Sequence, residues 1–285
     1  GGVTEWSPEN DLDGAERRAG VEVRTLSDLS DLDDARRVFD AVWPSAAGAT
    51  QIQSNLLRAL VHAGGYASAA YAEGEPVGAA LGFVGRSARS ERSEPRSGGP
   101  GNAGGGWHTH LHSHMAAVLA PFRDRHIGTA LKMHQRVWAL SHGLDTVVWT
   151  FDPLVRRNAT LNLLKLGVDV DGYEVNFYGD MDDEINAGDP SDRMFAWWRL
   201  NSERAIAASM GRLAPAATAQ LMASGRDVIE IPLPEDIVAL RLGDPAAAAR
   251  WRLALRESVL AALAVGYRIV TVSTDGGYVL ERKSA

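Results

Sequence analysis

Polar and apolar positions alternate over Val21–Leu26, VEVRTL, which predicts a strand. Leu32, Ala35, Val38, Phe39 and Val42 then recur at helical spacing until Pro44 stops them, and Ile52–His62 reads as a second helix ending at Gly64-Gly65. Tyr66–Ala72 and Val77–Val84 read as strands around the turn Glu73-Gly74-Glu75-Pro76, hence a hairpin. Arg86–Gly106 is a Ser/Arg/Gly/Pro segment that cannot pack a core, and a mobile loop is expected there. A strand follows over Trp107–Leu119. The helix Ile127–His142 then sets Ile127, Leu131, His134 and Trp138 on one face, with Gly143 at its C-cap position. Asp145–Phe151 is a strand, Asp152-Pro153 a break, Asn158–Leu166 a short helix closed by Gly167, and Tyr173–Tyr178 and Met194–Leu200 are strands. The order is β-α-α-β-β-β-α-β-α-β-β over Val21–Leu200, a mixed α/β (α+β) arrangement.

Two flanks frame that region. Residues 1–20 are polar and acidic without periodicity and read as a loose tail. Residues 201–285 read as an appended α/β subdomain. It holds a polar-alanine helical stretch, the strand Val228–Ile231, and a long helix capped by Asp244 with Pro245 at its first position. The core face of that helix is Trp251, Leu255, Val259 and Leu263, and Gly266 ends it. Tyr267–Val272 and Tyr278–Glu281 then pair around Asp275-Gly276-Gly277.

Composition narrows the function. The 285 residues carry a net charge of −7, so no dominant positive field would draw a nucleic acid. With no cysteine, a disulfide scaffold, a Cys-based zinc site and a cysteine nucleophile are all excluded. No apolar run is long enough to span a bilayer and no signal-peptide pattern opens the chain, so a cytoplasmic protein is expected, free of membrane and nucleic acid. A homodimer stays open.

The chemistry concentrates in MAAVLAPFRDRHIGTAL, Met115–Leu131. It reads as a buried strand over Ala116–Ala120, a loop carrying Arg123 and Arg125, and a helix starting near Ile127–Gly128 with almost no side-chain bulk. Free N–H groups and the positive end of a helix dipole then build an anion site, for which a diphosphate is the natural guest.

This stretch, with the element order, resembles the GNAT acyltransferase superfamily, whose pattern V-x-P-x-x-R-x-x-G-x-G/A precedes a long helix. Val118, Arg123, Gly128, Ala130 and Leu131 fall in register; Ala120 replaces the usual Pro and His126 the first Gly. The backbone donors survive both changes, and the shifted frame Arg125-x-x-Gly128-x-Ala130 fits as well. WTFDPLVRRNATLNLLKLG resembles the strand, break, helix and Gly that complete the family's coenzyme A site. LHSHM, LKMHQR, NFYG and SDR are similar to a bacterial GNAT subgroup of predicted acyltransferases, some of whose relatives are linked to N-succinylation of amino acids. The resemblance implies a GNAT-like mixed central sheet flanked by helices, with acetyl-CoA or another acyl-CoA as co-substrate and a small-molecule amine as acceptor. No metal is expected. It also implies a coenzyme A site at Ala117, Val118, Arg123, Arg125, His126, Ile127, Gly128, Thr129, Ala130 and Asn158.

Acyl transfer from a thioester to an amine needs a base, an oxyanion donor and a departing thiol. A backbone N–H near Ala117–Val118 suits the second. For the base, His108, His110, His112 and His114 share one strand face at a spacing of two, and His112 and His114 lie nearest the acyl end. The alternatives are neutral, structural imidazoles, or a His-x-His zinc chelate that lacks a third ligand. The Tyr that many family members use to protonate the thiolate is Leu163 here, with Tyr173, Tyr178 or water as substitutes. Arg123 and Arg125 face phosphate or solvent; Thr129 adds a hydroxyl or only occupies the first turn; Asn158 bonds pantetheine or caps its helix. Asp152 orients a histidine or the amine, or forms a turn, and Arg193 holds a substrate carboxylate or pairs with Asp192 or another acid. The rival functions are a non-catalytic acyl-CoA-binding module and a metal-dependent hydrolase.

Overall fold

The computed structural model describes residues 6–45, 48–88, 107–179 and 189–282. The chain folds as two units. One runs to Val42 and resumes over Ile52–Val148; the other comprises Trp43–Gln51 and the chain from Trp149 onward. The division falls inside a strand, not after Leu200 where element order placed it.

The first unit opens on a helix, α1 (Pro8–Ala19), where a loose tail was expected. Ser7 caps it by accepting from the Asn10 N–H, Pro8 fills the first turn, and Gly20 closes it at φ 66°. Tertiary contacts hold so polar a helix in place. Asp11 accepts from Trp6 Nε1 at 2.8 Å and lies 3.3 Å from the buried guanidinium of Arg136.

After α1 come β1 (Glu22–Thr25), α2 (Leu29–Val42), α3 (Ser54–His62), β2 (Tyr66–Ala72), β3 (Glu75–Ala88), β4 (Trp107–Val118), α4 (Ile127–Ser141) and the start of β5 (Thr146–Phe151). Strand β3 thus runs through Arg86–Ala88, and the rest of the expected mobile loop lies outside the described residues. The strand order is β1-β2-β3-β4-β5, antiparallel up to β4, while β4 and β5 run parallel with α4 as their crossover. Helix α2 buries Leu32, Ala35, Val38 and Phe39, as their spacing predicted. Helix α4 comes close to the sheet over Gly78, where a Cβ would stand 3.1 Å from Ile127 Cγ2 and 3.2 Å from Leu131 Cδ1. The buried Tyr66 hydroxyl ties α4 down, lying 2.7 Å from Ser68 Oγ and 2.8 Å from His134 Nδ1.

The second unit carries the end of β5, then α5 (Arg156–Thr160), which widens into a π-helical turn over Leu161–Leu166. The hairpin strands β6 (Asp169–Glu174) and β7 (Arg193–Arg199) pair antiparallel. The strand expected over Tyr173–Tyr178 is displaced toward the N-terminus, because Asn176 turns left-handed at φ 50° and its N–H bonds Asp192 Oδ1 at 3.1 Å. Helices α6 (Glu203–Ser209), α7 (Thr218–Ala223), α8 (Ile237–Gly243) and α9 (Pro245–Ala264) follow. With them comes a three-stranded sheet ordered β8-β10-β9, built from β8 (Val228–Ile231), β9 (Arg268–Val272) and β10 (Tyr278–Glu281). Asp244 and Pro245 start α9 as expected, but the buried stripe is Ala248, Arg252, Leu255, Val259 and Ala262, one step round from Trp251 and Leu263. That rotation brings Arg252 to Asp189 at 2.7 Å and Arg256 to Asp192 at 2.8 Å. Among the described residues no helix is long and apolar enough to cross a membrane.

Candidate active site

Strand β4 and the head of α4 form one continuous piece of the first unit. The antiparallel register between β3 and β4 slips by one residue, Leu81 facing Met115 and Gly82 facing Ser113, so His114 is the extra residue of a β-bulge. Before the bulge His108, His110 and His112 share a face, opposite Ser87, Gly85 and Phe83. His114 stays with that row: its ring lies 5.9 Å from His112 and 5.7 Å from Phe83.

Strand β4 ends at Val118, short of the expected Ala120, and Ala120–Phe122 forms a 3-10 turn. The Leu119 N–H donates to the Val77 carbonyl at 2.9 Å, on the β3 side. Successive N–H groups of an extended chain point to opposite edges. Ala117 therefore points its N–H toward β3, and Val118 points its own toward the β5 edge. Pairing with β5 is confined to Leu111↔Val147 and His112↔Val148, so the Val118 N–H lies beyond it. Of the two residues named from sequence, Val118 is the one whose N–H faces the β5 edge.

The loop then makes two left-handed residues around Arg125: Asp124 at φ 63° and His126 at φ 64°. His126 occupies the N-cap of α4 without a side-chain cap, and its carbonyl accepts from the N–H groups of Thr129 (3.0 Å) and Ala130 (3.1 Å). Those two donors are committed to the helix, which leaves the N–H groups of Ile127 and Gly128 leading it. A Cβ added at Gly128 would meet nothing within 4 Å, so close approach is open. Arg123 and Arg125 are exposed, with Arg125 over the Phe122 ring at 5.2 Å. His126 thus adopts a left-handed conformation that a Gly would take without strain, at a cost of about 1 kcal/mol for a residue with a Cβ. His126→Gly should stabilise the protein by about that amount in urea unfolding.

Burial pushes the His112 imidazole down to about 4, helped by His114, His110 and Lys132, and desolvation by the neighbouring rings also lowers His114, although that residue is exposed overall. Both are neutral at pH 7 with a lone pair to offer. Lys132, which sequence reading passed over, is 7% exposed on α4; its Nζ donates to Ser113 Oγ at 2.9 Å and Gln135 Oε1 at 3.2 Å. The only legible signal was its place between the core residues Leu131 and Met133. Burial pushes its ammonium down to about 7. A folded value below the unfolded value of about 10.4 means that the unfolded chain holds an extra proton between those limits, so stability rises with pH there. Lys132→Met should therefore stabilise the protein by about 2 kcal/mol near pH 7, with the gain shrinking toward pH 10 in urea titrations.

The second unit changes several assignments. Asp152 accepts from the Leu154 N–H at 2.9 Å and ion-pairs with Arg241 at 2.7 Å, so it holds the turn and an anchor to α8. Arg193 is buried, donates to the Asp192 carbonyl at 2.8 Å and covers the Tyr178 ring at 5.4 Å. The Asp192 carboxylate is instead held by Arg256 and the Tyr173 hydroxyl (2.7 Å). Burial pushes that carboxyl up, and these bonds outweigh it and keep it low. Tyr173 is thus spent as a donor, and burial with the Asp192 bond raises its own value. The Tyr178 hydroxyl meets Thr150 Oγ1 at 2.8 Å. Leu163 is fully buried. Asn158 is not a cap, since α5 begins at Arg156 after Val155; it is half-buried in the third position. Among the described residues no three His, Asp or Glu side chains converge to hold a metal ion.

No family model and no curated protein matches this chain. Solved structures do. An N-acetyltransferase from Staphylococcus aureus is 17% identical, covering 64% of this chain and 99% of its own with a TM-score of 0.45. A GNAT family acetyltransferase from Elizabethkingia anophelis with acetyl-CoA bound is 12% identical over 63% of this chain and 98% of its own, TM-score 0.41. The IAA acetyltransferase from Bacillus cereus is 11% identical over 62% and 97%, TM-score 0.41. The likeness of this chain to these acetyltransferases is one of fold.

Proposed function

We propose that this protein is an N-acyltransferase of the GNAT type. It moves a short acyl group, acetyl or another such as succinyl, from acyl-CoA to a small-molecule amine such as an amino acid. The observation that carries this reading is one uninterrupted stretch. It sets the neutral His112 and His114, the edge-facing N–H of Val118 and the leading donors Ile127 and Gly128 in sequence along β4 and α4. Gly128 and Ile127 would hold the diphosphate with main-chain hydrogens, with Arg123 and Arg125 adding charge. The Val118 N–H would meet the thioester oxygen as it gains charge. His112 or His114 would take the proton of the amine. With Leu163 in place of an acid, the thiol leaves as thiolate, which a thiol pKa of about 8.5 permits near neutral pH. A cytoplasmic location goes with this reading.

Leu163 also favours a second reading, a module that binds acyl-CoA without turning it over. Thiol release decides between them. The protein is mixed with acetyl-CoA or succinyl-CoA and a panel of amino acids, and free thiol is followed with a chromogenic disulfide. Release that depends on the amine supports transfer; calorimetric binding of coenzyme A with no release from any amine supports the module.

A further inference from the structure

The histidine row on β4 extends well past the two candidate bases. His114 is exposed at the acyl end, His110 is buried at 5% in the middle, and His108 sits at the far end with Nε2 3.7 Å from the exposed carboxylate of Asp145. The rings of His108 and His110 stack at 6.1 Å, and those of His112 and His114 stand 5.9 Å apart. His110 and His112, two residues apart on the same face, are about 7 Å apart along the strand. One bridging water spans such gaps. The facing strand is shaped to this row: a Cβ at Gly85 would press to 2.9 Å of His110 Nε2, and Ser87 Oγ lies 3.5 Å from His110 Nδ1.

We propose that His110 and His108, ending at Asp145, form a proton exit that carries the amine's proton from His112 or His114 to solvent. The proposal rests on the acyl transfer set out above. An amine arrives at neutral pH as an ammonium. One proton passes to the imidazole of His112 or His114, and the freed lone pair forms the N–C bond. The tetrahedral adduct breaks its C–S bond, the sulfur leaves as thiolate, and the second N–H proton, lost to water, neutralises that thiolate in solution. One proton per turnover is therefore left on the enzyme. The charges around the row send it outward. Lys132 and the neighbouring imidazoles disfavour a cation at His112, whereas the Asp145 carboxylate attracts one at His108. Phe83, Gly85 and Ser87 face the row from β3 and bring no charge.

The test is His110→Phe, which keeps the ring volume and removes both nitrogens, read beside His110→Gln in case the first fails to fold. At low buffer concentration kcat should fall by about tenfold with KM for acyl-CoA unchanged, and added imidazole or concentrated buffer should restore it. His108→Gln should act in the same direction. Equal kcat in wild type and both His110 variants overturns the exit. A second measurement does not need turnover. In nitrogen NMR of the free protein, titrating His108 should move the ring resonances of His110 and His112, and His108→Gln should abolish that movement. Four imidazoles titrating independently overturn the exit even if transfer is real. Absence of amine-dependent thiol release overturns the transferase itself and leaves the NMR result to judge the row.

Discussion

Gly128→Asp is expected to cost at least about 100-fold in affinity for coenzyme A, close to 3 kcal/mol, while leaving the fold as stable as before. The two effects separate because of where Gly128 sits. It is the second residue of α4, and a Cβ there meets nothing within 4 Å. A carboxylate in the first turn of a helix is mildly favourable to the helix itself, by roughly 0.3–1 kcal/mol. The same carboxylate occupies the space in front of the Ile127 and Gly128 donors and repels a diphosphate. Calorimetry with coenzyme A and a melt of the free protein give both numbers. Loss of affinity with an unchanged or raised melting temperature is the predicted pair; ordinary affinity would show that the diphosphate binds elsewhere.

The second large effect is expected from the histidines. Replacing both His112 and His114 by Ala should slow kcat by about 100-fold or more, the usual contribution of a positioned base, with coenzyme A affinity nearly unchanged. Each single variant should fall less, since the two rings lie 5.9 Å apart and either can reach an amine at the bulge. The pH profile carries its own sign. His112 is pushed down to about 4, so the base stays neutral through the physiological range and is lost only as pH falls through that value. The enzyme's acid limb should therefore lie near pH 4 and not near the free imidazole value of about 6.5. Unchanged rates in both single variants and in the double would remove histidine from the mechanism.

Much of the site could be read from residue order because its parts are contiguous. The loop and the start of α4 fall where the run from Met115 predicted them, since Gly128 and the basic loop mark a helix start locally. The alternation of His108 to His114 likewise put them on one face, with the bulge at His114 as the one irregularity. That bulge was invisible because a slipped register is a property of the pair β3–β4, not of either strand alone. The same limit explains Ala117 and Val118: which of two adjacent N–H groups faces the open edge is set by the bond from Leu119 to Val77.

Helix α1 teaches the opposite lesson. Its Ser7 cap, Pro8, acidic first turn, Arg17, Arg18 and closing Gly20 are all legible, yet its weak apolar stripe hid it. Its anchor is Asp11 near Arg136, 125 residues away. Asp152 and Arg193 each had two readings open for a related reason. A charged residue beside a strand end looks like a ligand until its partner is known, and those partners are Arg241 on α8, and the Asp192 carbonyl together with the Tyr178 ring.

By itself the order of residues determined most of the elements, several helix ends with their caps, and the turn into α4, because each depends on neighbours a few residues apart. Only the tertiary structure decided which buried charges are spent on one another, where the central strand slips by a residue, and that Lys132 is buried. Those outcomes depend on desolvation and on partners distant along the chain, which no local pattern records.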